Sequence, residues 1–74
     1  MKEEMLKKIV STFIKCSTDS IEADTIIDNS VIQGSILFHR MISRINKYYG
    51  IEIEDYTNIK TYSDLLKEVR GKYE

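Results

Sequence analysis

The chain has 74 residues, 42% of them hydrophobic, with 11 Lys+Arg against 12 Asp+Glu for a formal net charge of −1. That length suits one domain spanning 1–74, with too little interior for a closed, many-residue catalytic cleft. The charge balance lacks the basic excess of a general nucleic-acid binder. The single cysteine, Cys16, excludes an internal disulfide framework and a cysteine-based zinc site.

Proline and tryptophan are absent and there are three glycines, a composition that suits helices better than tight-turned sandwiches. No apolar run approaches the roughly 20 residues that span a bilayer. Met1-Lys2-Glu3-Glu4 opens no signal-peptide core, so the chain reads as cytoplasmic, with no membrane association.

From about Lys2 to Lys15, the apolar residues Met5, Leu6, Ile9, Val10, Phe13 and Ile14 recur at spacings of three and four. This is an amphipathic helix. Glu3 and Glu4 near its start and Lys15 near its end match the helix dipole. Cys16 reads as a small residue near the helix end.

The next stretch, Cys16 to Gly34, is rich in Ser, Thr, Asp and Asn, which bond to nearby backbone and favour turns. It is long for a loop in so small a domain. Ile21, Ile26, Ile27, Val31 and Ile32 are expected to pin it to the core.

A second helix is predicted from Ser35 to Tyr49, with Ser35 as N-cap or first-turn residue and Gly50 as the stop. Ile36, Met41, Ile42, Ile45 and Tyr49 form its expected apolar side. Ile51-Glu52-Ile53 alternates like a strand but has no partner strand, and a short helical turn is expected around Glu54–Asn58. The last helix begins after Thr61 or Ser63, with Thr61-Tyr62-Ser63-Asp64 as its capping sequence. Tyr62, Leu65, Leu66 and Val69 make its stripe. The predicted fold is all-α: three main helices plus a short one, with a long loop between helices one and two.

Enzyme motifs are scarce. His39 is the sole histidine, so no histidine pair can bind a metal. Ser35 and His39 lie one turn apart on one helix, with no evident third member for a nucleophilic triad. His39 therefore reads as a helix-surface or half-buried side chain.

The order of these features resembles the acyl carrier protein family. That family has a long loop ending in Asp-Ser-Leu, a second helix ending in a Phe-Gly-Ile-Glu-Ile-like sequence, and a capped last helix. Tyr49-Gly50-Ile51-Glu52-Ile53 matches the second signature. Counting back without a gap places Ser35 on the family's modified serine, Ile36 on the leucine and Gly34 on the aspartate. Further back, Val31 falls on a loop leucine and Ile27 on an aromatic anchor. Thr61-Tyr62-Ser63-Asp64-Leu65-Leu66 resembles the family's Thr-Val-x-Asp-Leu stretch. The segment Glu54–Lys60 is about two residues short.

The resemblance implies a monomeric carrier that is not itself an enzyme. It implies a covalent 4′-phosphopantetheine on Ser35, installed by a phosphopantetheinyl transferase. Its other partners would be acyl- or aminoacyl-loading and acyl-processing enzymes. Two features depart from the pattern. Gly34 replaces the acid that helps the transferase and its metal engage the site. Residues 35–50 contain no acid, whereas the family's second helix is acidic outside. The outward positions Leu37, Arg40, Arg44 and Lys47 form the expected docking face, suited to unusual partners.

Three alternatives stand beside this reading. Ser35 could be a plain N-cap in an unmodified interaction module that binds an acidic partner through the basic face. Ser30, in Asp28-Asn29-Ser30-Val31, offers a rival register that would run the second helix through Gly34. A nucleic-acid role for the basic face is weaker, because it has only three fixed positive charges on an otherwise acidic chain.

Overall fold

The computed structural model describes residues 2–28, 35–54, 56 and 58–73, with the backbone alone for Ser35. The chain is all-α: α1 (Glu3–Ile14), a 3-10 turn at Thr18–Ser20, α2 (Ser35–Tyr49) and α3 (Tyr62–Tyr73). Val31, Ile32 and Gly34, and Ser30 of the rival register, lie outside the described residues. No helix among the described residues is long and apolar enough to cross a membrane.

The three helices bury one cluster. Leu6, Ile9 and Val10 come from α1, Met41, Ile42 and Ile45 from α2, and Tyr62, Leu65 and Val69 from α3. These positions follow the spacing of three and four that puts side chains on one helical face. Met5, Phe13, Ile14, Cys16 and Leu66 lie at the margin, half-buried.

Ile36 departs from the expected pattern. It is 71% exposed, and Phe38 takes the core position instead. Ile36 lies nine residues before Ile45, or two and a half turns at 3.6 residues per turn, so it points the opposite way. Phe38 lies three, four and seven residues before Met41, Ile42 and Ile45, on their face.

Both α1 and α2 end in the left-handed conformation. At α2, Gly50 adopts φ +68°, and the Ile51 N–H donates to the Asn46 carbonyl at 3.0 Å. The Asn46 side chain also accepts from the Ile53 N–H at 3.0 Å. These bonds turn Ile51-Glu52-Ile53 back across the bundle, with Ile53 buried and Glu52 exposed. At α1 the same conformation falls on Lys15, φ 57°, and the Cys16 N–H reaches the Ser11 carbonyl at 3.4 Å. Glycine carries no steric cost there, whereas lysine does.

The first connection is latched to the start of α3 through its backbone. The Ile27 N–H donates to the Lys60 carbonyl at 2.8 Å, the Tyr62 N–H to the Thr25 carbonyl at 2.9 Å, and the Ser63 N–H to the Ala23 carbonyl at 2.9 Å. Ile26 and Thr61 form the isolated antiparallel bridge at the centre of this contact. Loop carbonyls thus satisfy amides that a helix start leaves unpaired. Ile21 and Ile27 anchor the loop in the core as expected, but Ile26 is 44% exposed. It pairs through its backbone, so its side chain is free to point outward.

Thr61 and Asp64 form a reciprocal cap on α3. The Asp64 N–H donates to Thr61 Oγ1 at 3.3 Å. Asp64 Oδ2 accepts from the Thr61 and Lys60 N–H groups, each at 3.2 Å. These backbone bonds, Thr61 first and Lys60 second, hold the Asp64 carboxyl below its ordinary range.

The expected helical turn near Glu54–Asn58 falls partly on residues 55 and 57, outside the described set. What is described is one turn, closed by the Ile59 N–H on the Tyr56 carbonyl at 3.2 Å. A short 3-10 turn lies at Thr18–Ser20, where the Ser17 and Ser20 hydroxyls bond at 2.9 Å.

Candidate functional site

The site expected from sequence lies along α2. Ser35 is the helix's first residue and Tyr49 its last. Ser35 therefore stands where the first-turn N–H groups have no helical partner and the dipole is positive. The first turn of α2 contains no acidic residue. An anion at this end would meet no like charge from the turn itself.

Two apolar residues follow on the outside, Ile36 and Leu37, which is 37% exposed. Ile36, expected on the apolar side of the helix, is instead left in solvent directly after Ser35 in the chain.

His39 is exposed, one turn beyond Ser35. Its Nδ1 lies 2.7 Å from the Tyr56 hydroxyl. Tyr56 also meets Phe38 edge to face, with ring centroids 5.4 Å apart. Among the described residues the imidazole's close partner is thus a phenol and not a carboxylate, and they give a Ser-His-Asp arrangement no support. Among the described residues, no group of His, Cys, Asp and Glu is arranged to hold a metal.

The expected docking residues share one surface. Leu37, Arg40, Arg44 and Lys47 follow at intervals of three, four and three along the exposed side of α2. Among the described residues, none of the three cations is ion-paired. The surface continues onto α1 through Phe13 and Lys15, which with the α2 residues line an open groove of about 680 Å³. The Arg44 guanidinium lies over the Phe13 ring, 5.6 Å from its centroid, within cation–π range.

Sequence reasoning missed this contribution from α1. The apolar spacing sent Phe13 to the core, and it does pack at the core's margin. Its other side lines the groove. Tyr56 was likewise missed, because a lone aromatic in a short irregular segment has no periodicity to place it.

The sequence matches no protein-family model and no curated protein.

Proposed function

We propose that this chain is a carrier protein. It tethers acyl or aminoacyl thioesters on a 4′-phosphopantetheine arm at Ser35 and presents them to cytoplasmic biosynthetic enzymes. The observation that carries the reading is the span of α2, which opens on Ser35 and closes at Tyr49-Gly50. That span keeps Ser35 in ungapped register with Tyr49-Gly50-Ile51-Glu52-Ile53.

The residues present suit such a group. Attachment needs a hydroxyl with an open approach, and the two residues after Ser35 are exposed. A phosphodiester there is anionic, and the acid-free first turn at a helix N-terminus favours it. When attached, the arm supplies the thiol that holds the cargo. Ser35 itself needs no activating base, because the transferase brings that chemistry. The latch between residues 23–27 and the start of α3 fixes the described part of the loop that leads towards the serine.

Intact-mass measurement after co-expression with a broad-specificity phosphopantetheinyl transferase tests the reading. The wild-type chain should gain one arm. Ser35→Ala should abolish the gain and remain folded, since losing a cap costs about 0.5–2 kcal/mol. Ser30→Ala should still be modified, and Gly34→Asp should be modified faster. A chain unmodified both as wild type and as Gly34→Asp would sink the carrier reading.

A further inference from the structure

The groove between α1 and α2 differs in charge from the rest of the chain. Residues 35–50 hold three of the eleven basic residues and none of the twelve acidic ones, so the remainder of the chain is net −4. Arg40, Arg44 and Lys47 line one side of the groove, Lys15 adds a cation just past the end of α1, and Phe13 and Leu37 are its apolar lining.

We propose that this groove docks an acidic amphipathic helix of a partner protein. The inference goes beyond the carrier reading and holds whether or not Ser35 bears an arm. The basic side chains are spaced by four and then three residues, the period of one helical face. Arg40 to Lys47 spans about 10.5 Å at 1.5 Å per residue. A partner helix with carboxylates repeating at the same alternating spacing would set one acid against each cation. Its neighbouring apolar side chains would cover Phe13 and Leu37.

Arg44 is already held over Phe13 by its cation–π contact. Fixing that rotamer before binding lowers the ordering cost of association. A cation with no acid partner among the described residues is also available to the ligand without breaking an internal ion pair. The apolar lining favours a protein over a nucleic acid, whose phosphates gain nothing from Phe13 and Leu37. A duplex or a bilayer would also extend past the groove onto the net-negative remainder, where repulsion opposes contact. A single narrow helix avoids that cost.

The test is titration of the full chain with a fluorescein-labelled, hydrocarbon-stapled helical peptide. The peptide carries glutamates at alternating four- and three-residue spacing, with leucines beside them. Binding should weaken as salt rises, and NMR shift changes should centre on residues 12–15 and 37–47. Arg40→Glu with Arg44→Glu should weaken binding by at least about tenfold and flatten its salt dependence. Leu37→Ser, an exposed change that leaves the core intact, should weaken binding but keep the salt slope. Lys67→Glu on α3 should change nothing. Ser35→Ala should bind as wild type does, so failure of modification and failure of docking are separate results. Peptide binding that ignores the Arg40/Arg44 reversal, or shift changes centred elsewhere, would overturn the proposal. So would tighter binding to phosphatidylglycerol-containing vesicles or to a DNA duplex than to the peptide.

Discussion

His39 and Tyr56 join α2 to the segment that precedes α3: the imidazole Nδ1 and the phenol oxygen are 2.7 Å apart. The same Tyr56 ring stands edge-on to Phe38, so one aromatic residue meets the exposed and the buried side of α2 at once. Tyr56→Phe keeps the ring contact and removes the hydrogen bond. It should cost about 0.5–1.5 kcal/mol in urea unfolding. Tyr56→Ala should cost more, and a double-mutant cycle with His39→Ala should show coupling only through the hydroxyl. Additive His39→Ala and Tyr56→Phe effects would mean that the bond contributes nothing.

Lys15 and Gly50 are a matched pair for backbone strain. Both are left-handed C-terminal positions, and no heavy atom lies within 4 Å of a Cβ built on Gly50. Gly50→Ala therefore tests conformation without a clash, and it should destabilise by about 1 kcal/mol. Lys15→Gly should raise the urea midpoint, by up to about 1 kcal/mol of stability. Equal effects of the same sign from both changes would contradict this account.

Asp64 links the α3 cap to pH. Its folded-state pKa is depressed, so its contribution to stability is fully present above the ordinary carboxylate range. That contribution is lost as pH falls through the ordinary range to the lower folded value. Asp64→Ala should remove this part of the acid sensitivity. Unfolding curves from neutral pH into acid should converge for wild type and variant at the acid end. A constant gap at every pH would assign the effect to something other than the carboxylate.

The Tyr62 hydroxyl is buried without a hydrogen-bond partner among the described residues. Burial first, then the nearby Glu3 carboxylate, pushes its pKa well above the ordinary tyrosine value. Tyr62→Phe should be neutral or stabilising by up to about 1 kcal/mol, because it removes an unsatisfied polar atom and keeps the ring. The Tyr49 hydroxyl, which donates to the Lys2 carbonyl at 2.5 Å, should behave oppositely. Thermal melts of the two variants should show Tyr49→Phe to be destabilising where Tyr62→Phe is not.

Ile42 is 1% exposed among side chains from the helices. Ile42→Ala should cost about 2–5 kcal/mol, a large part of the 5–15 kcal/mol typical of whole domains. Unchanged cooperative melting in this variant would place the core elsewhere.

The sequence by itself determined the three helices and most of their inward faces. Helical spacing is local: Leu6, Ile9, Val10, Met41, Ile42, Ile45, Leu65 and Val69 are fixed as one-sided by neighbours three and four positions away. The caps were legible for the same reason, since Gly50 and Thr61-Tyr62-Ser63-Asp64 act within a turn of their own positions. The outward placement of Leu37, Arg40, Arg44 and Lys47 followed from the same spacing.

Helical spacing alone puts Phe38, and not Ile36, on the face of Met41, Ile42 and Ile45; tertiary structure decided how completely that face is covered, with Phe38 buried and Ile36 71% exposed. It also decided that Ala23, Thr25 and Ile27 bond to the start of α3, that Tyr56 meets His39, and that Phe13 lines a groove beside Arg44. These contacts join residues far apart in the chain. Their energies depend on how the helices pack, and no periodicity in a single segment records that.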